Sequence, residues 1–89
     1  MTPEDRKRYA EGFARDVKKL LVAHGQQVEP SVGYASRWLE REIMKACGVH
    51  IRHDALRHLL NANREPTLGE ACAIFKAFGY EITYMKEGK

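Results

Sequence analysis

Two cysteines, Cys47 and Cys72, are all that this 89-residue chain has. A disulfide scaffold needs more, so packing must hold the fold, and lone thiols suit a reducing compartment such as a bacterial cytoplasm or nucleoid. Apolar runs are short, as in Leu20 to Ala23, Ile43–Met44 and Leu59–Leu60. None approaches the roughly 20 residues that span a bilayer, so no membrane partner is expected. The opening Met-Thr-Pro-Glu-Asp-Arg-Lys-Arg is charged and has no apolar stretch behind it, unlike a secretory signal. Glycine-rich phosphate loops, paired-carboxylate motifs and Gly-x-Ser-x-Gly turns are missing, so neither an enzyme nor a bound cofactor is expected.

What the chain does have is the composition of one small globular domain over residues 1–89. Hydrophobic residues make up 44% and charged residues 30%, too apolar for a disordered chain. The core of a domain this size is modest. The net charge of +3 is unevenly spread. The window 45–64 holds Lys45, Arg52, Arg57 and Arg64 against Asp54 alone, with His50, His53 and His58 beside them. Clustered cations with few acids are the footprint of a phosphate-binding surface. A basic solvated face is the alternative.

Four helices are legible. Thr2-Pro3-Glu4-Asp5 reads as a helix start, and Tyr9, Phe13, Val17, Leu20, Leu21 and His24 follow at helical spacing, giving a helix over roughly 3–24. Gly25 stops it, and Pro30 marks the loop that ends near residue 33. A second helix begins between Ser31 and Ser36, carries Trp38, Leu39, Ile43, Met44 and Cys47, and stops at Gly48. Asp54 is expected to cap a short third helix, with Leu56, Leu59 and Leu60 inward and Arg57, His58 and Asn61 outward. Thr67-Leu68-Gly69-Glu70 has the spacing of a reciprocal capping box, in which each side chain accepts the other's exposed backbone N–H. The fourth helix places Ala71, Ile74, Phe75 and Phe78 inward and ends at Gly79. Residues 80–85 alternate and are rich in β-branched and aromatic types, as a strand would be. The expected fold is therefore all-α, with four to five helices: an N-terminal helix and loop over 1–33, a core over 34–79, and a C-terminal strand and tail over 80–89.

Helix, glycine turn, short helix with a basic outer face, then a capped helix is the order of a helix-turn-helix. Ala55-Leu56-Arg57-His58-Leu59-Leu60, followed by Asn61-Ala62-Asn63-Arg64-Glu65-Pro66-Thr67-Leu68, resembles the recognition helix and following loop of the Cro/XRE-type helix-turn-helix family. Ile74-Phe75-Lys76-Ala77-Phe78-Gly79-Tyr80 is similar to that family's closing helix, and a short strand after the glycine looks most like its small antitoxin, phage and plasmid repressors. The resemblance covers about residues 38–85. The chain departs from the family pattern in about two extra residues between Gly48 and Leu56, in Met44 where a small alanine is usual, and in Ala62 where glycine usually follows the recognition helix.

The resemblance implies sequence-specific binding of double-stranded DNA by a homodimeric repressor. Arg52, His53, Arg57 and His58 are the candidates for base edges, because Arg matches guanine O6 and N7 bidentately. Asn61, Asn63 and Arg64 are candidates for phosphates, with plain turn chemistry as the alternative. Tyr80, Ile82 and Tyr84 share one face of the expected strand, which would pair with its copy in a second subunit. Cys47, His50 and His53 are spaced C-x2-H-x2-H, but a structural zinc site needs four ligands and a cysteine on an apolar helix face is usually core, so no metal is expected. The rival to DNA binding is a small inhibitor whose basic helix faces an acidic protein, either a cognate toxin or a host factor.

Overall fold

A computed structural model of the chain describes residues 2–80. Four helices follow in order, α1 (Pro3–Ala23), α2 (Gly33–Cys47), α3 (His53–Leu60) and α4 (Leu68–Ala77). Every regular element among the described residues is a helix, and the all-α architecture is as expected. The strand expected over 80–85, with Ile82 and Tyr84, lies outside the described residues beyond Tyr80.

Each helix starts and stops for local reasons. The Thr2 hydroxyl accepts the Asp5 N–H at 3.1 Å while the Asp5 carboxylate accepts the Thr2 N–H, so a full capping box opens α1. Thr67 and Glu70 form the same device at α4. Gly48 ends α2 at φ 69°, a left-handed conformation that costs glycine little, and its N–H bonds the Met44 carbonyl. At α3 the expected cap is displaced. Arg52 takes the cap position with no side-chain bond, and Asp54 sits inside the first turn. There its carboxylate still complements the positive end of the helix.

The core forms around α2, which packs against both α3 and α4, while α3 also rests on α1. Ala35, Leu39 and Ile43 of α2 are fully buried, among Phe13, Val17 and Leu21 of α1, Leu56, Leu59 and Leu60 of α3, and Ile74 and Phe78 of α4. A helix of eight residues is not stable alone. Three buried leucines, worth about 1.5–3 kcal/mol each, hold α3 in place. Aromatic edges close the ends of the core: Phe13 meets Phe75 at 5.8 Å, and Trp38 and His24 lie over Phe78 at 5.9 and 5.0 Å. Three expected apolar positions turn outward instead. Tyr9 and Met44 are half exposed, and His24 leaves the helix as its C-terminal cap. Because Met44 faces solvent, its size does not crowd the contact between α2 and α3.

The turn after α3 carries the one strained backbone position among the described residues. Ala62 has φ 58°, in the left-handed region where a Cβ is crowded, and this is where the family pattern has glycine. The turn forms nonetheless, because the Ala62 N–H bonds the Leu59 carbonyl at 3.1 Å and the Asn63 N–H bonds the His58 carbonyl at 2.9 Å. Relief of about 1–2 kcal/mol of strain exceeds the extra chain entropy of glycine, about 0.4–1 kcal/mol. Ala62→Gly is therefore expected to stabilise the protein by about 0.5–1 kcal/mol, read as a higher urea midpoint at unchanged slope.

Candidate nucleic-acid interface

The outward side of α3 and its two flanking turns bring together most of the residues singled out from sequence. Arg52, Arg57, His58, Asn61, Asn63 and Arg64 are exposed, and His53 is half-buried at the helix start. They do not form one pool of free donors, because three acidic side chains organise them.

Glu40, on α2, collects the turn. Its Oε2 lies 2.7 Å from His50 Nε2 and its Oε1 lies 3.4 Å from His53 Nδ1. The hydrogen bond with His50 holds the Glu40 carboxyl below its ordinary carboxylate value, and the His53 contact adds to this. The two extra residues between Gly48 and Leu56 thus gain an anchor on α2, and the start of α3 is tied to the helix beneath it. Sequence reading missed Glu40. Its helical position beside buried Leu39 and Ile43 places it on the edge of the α2 stripe, and only docking of the turn supplies its partners.

Asp54 is the second organiser. Its Oδ1 lies 3.4 Å from Arg57 Nη2 and 3.5 Å from His53 Nε2. Both partners of the Arg57 contact are about half exposed, and an ion pair of that kind is worth about 0–1 kcal/mol. Arg57 is therefore oriented rather than consumed, and a stronger anion can recruit it. Arg52 has no ion-pair partner among the described residues.

The third organiser is Glu70. The Arg64 Nη1 and Nη2 atoms donate to its two oxygens, each at 2.8 Å, and Nη1 also donates to the Glu65 carbonyl. The same carboxylate accepts the Thr67 N–H at 2.8 Å within the capping box. Arg64 is thus committed to the start of α4, and its planar fork makes the pairing bidentate. Asn63 turns its amide nitrogen to His58 Nδ1 at 3.1 Å, joining the loop back to α3. Asn61 is the C-terminal cap of α3, with its N–H on the Arg57 carbonyl.

The C-x2-H-x2-H spacing is not drawn together. Cys47 directs its sulfur to the Ala73 carbonyl at 3.8 Å, while His50 and His53 turn to Glu40. No group of three potential metal ligands exists among the described residues. Nor is any helix among them long and apolar enough to cross a membrane. Tyr80, the one described member of the expected dimer face, is exposed; its N–H bonds the Phe75 carbonyl at 3.0 Å and its ring meets Phe75 edge-on at 6.4 Å. Family models, curated proteins and solved structures give no match to this chain.

The Glu70 clamp has a definite pH signature. Hydrogen bonds from Arg64 pull its carboxyl down from 4.5 to about 2, against the opposing effect of burial. A depressed carboxylate contributes stability that is complete above its unfolded value and is lost as pH falls through its folded value. The window is therefore pH 4.5 down to about 2. Glu70→Gln is expected to cost about 1–2 kcal/mol at pH 7, since charge-assisted bonds to a partly exposed Arg are weakened. The gap between variant and parent should narrow from pH 4.5 to about 2, as urea melts along that series will show.

Proposed function

We propose that the protein binds double-stranded DNA through α3 and acts as a transcriptional repressor. The observation that carries this reading is the two-sidedness of α3, with Leu56, Leu59 and Leu60 buried and Arg52, Arg57 and His58 exposed on an eight-residue helix. A short helix held rigidly from behind is what a major groove admits, and Arg is the side chain best matched to guanine there. Glu40 and its two histidines support the same reading by fixing the entry to α3. Arg52 and Arg57 are the base-edge candidates, and His58 with Asn61 and Asn63 continues the surface toward the next phosphate. Arg64 acts through Glu70 as a brace for this loop.

Two-fold symmetry completes the proposal. Two copies joined through Tyr80, Ile82 and Tyr84 would present their α3 helices to half-sites about one helical turn apart, on an inverted-repeat operator. Ending the chain at Gly79 should then lower affinity for a two-half-site duplex and give a monomer on sedimentation. A dimer of full affinity would remove residues 80–89 from the contact.

Binding through phosphates has a measurable signature. With about three phosphates neutralised per subunit, log K against log salt should fall with a slope near −5 for a dimer. A slope shallower than about −2 would favour an acidic protein as the target instead. Arg57→Ala should cost about 1–3 kcal/mol on a selected duplex and much less on a scrambled one. Equal losses on both would reduce Arg57 to a phosphate contact.

A further inference from the structure

The DNA-binding reading assigns its contacts to α3 and the loop after it, and leaves α1 as scaffold. The surface does not stop at that loop. The first turns of α1 run alongside it, so that Arg6 and Lys7 share an open cleft of about 330 Å³ with Ala62, Asn63, Arg64 and Glu65. The contact between α1 and α3 sets this arrangement. Both cations are exposed, and neither has an ion-pair partner among the described residues. On the other wall, Arg64 is already neutralised by Glu70. The charge available to an anion in this cleft therefore comes from α1, not from the loop that sequence alone singled out.

We infer that Arg6 and Lys7 form a second phosphate-binding edge, which holds the DNA backbone where it leaves the major groove beside the C-terminal end of α3. A helix seated in the major groove has a phosphate strand on either side of it, and long flexible cations at its flank reach that strand without reading bases. The left-handed turn at Ala62 keeps this wall of the cleft low, because the residue there has only a methyl group. Glu65 is the one acid that lines the cleft, and it opposes a phosphate placed there. This makes the inference testable in both directions.

The inference rests on the DNA-binding reading, but its test needs no operator, since phosphate contacts are independent of sequence. The full chain is titrated with a mixed-sequence duplex of about 30 base pairs over a range of salt. Arg6→Ala with Lys7→Ala should reduce the magnitude of the salt slope by about 1.8 per bound subunit, from about 0.9 for each phosphate released. Glu65→Gln should raise affinity about twofold, as expected for removing one partly exposed repulsion. Lys18→Ala with Lys19→Ala, about 18 Å further along α1, should leave the slope unchanged. An unchanged slope in the Arg6/Lys7 variant, with the parent still binding, overturns this inference and leaves α3 binding intact. An equal fall in the Lys18/Lys19 variant also overturns it, because the effect would then be a diffuse field. A parent protein that binds no duplex removes the DNA-binding reading itself.

Discussion

Burial of the apolar stripe of α2 is the constraint on which the remaining structure depends. Ala35, Leu39 and Ile43 are completely removed from solvent, with α3 on one side and α4 on the other. Even the polar member of the stripe is accommodated, as the Ser36 hydroxyl donates to the Val32 carbonyl at 2.7 Å and leaves no unpaired group. Apolar burial at about 1.5–3 kcal/mol per large side chain outweighs the exposed ion pairs, at about 0–1 kcal/mol each. The ion pairs therefore select orientations within a fold that packing has already determined. For α3 this hierarchy is strict, since a helix of eight residues has no independent stability.

Within that frame the acids decide which cations are available. The window 45–64 has a formal surplus of three positive charges, but acids outside it intrude: Glu40 holds His50 and His53, and Glu70 holds Arg64. Asp54 only leans on Arg57. The consequence is a graded surface. Arg52 is uncommitted, Arg57 is loosely held, and Arg64 is locked. A phosphate or a guanine edge competes easily with an exposed ion pair and poorly with a bidentate one that also serves a helix cap. For the proposed DNA-binding face this divides the labour between residues that meet the ligand and residues that hold the loop still.

The sequence by itself determined the elements and their inward faces. Thr2, Thr67, Gly25, Gly48 and Gly79 punctuate the chain, and the spacings of Phe13, Val17 and Leu21, of Leu39 and Ile43, and of Leu56, Leu59 and Leu60 identify the buried sides. Those signals are local. Capping connects residues three apart, and amphipathic spacing repeats within one helix. The misplaced features had competing local signals: Asp54 is a good capping residue, yet Arg52 occupies the cap because the turn docks through Ile51 and His53. Only the tertiary structure decided the partners across elements. Glu40 meets His50 ten residues away, Glu70 meets Arg64 across the start of α4, and Arg6 and Lys7 stand beside a loop more than fifty residues along the chain. A charge carries no periodic mark of its partner. Its pairing follows from where packed helices bring it, and that is set by apolar surfaces elsewhere in the chain.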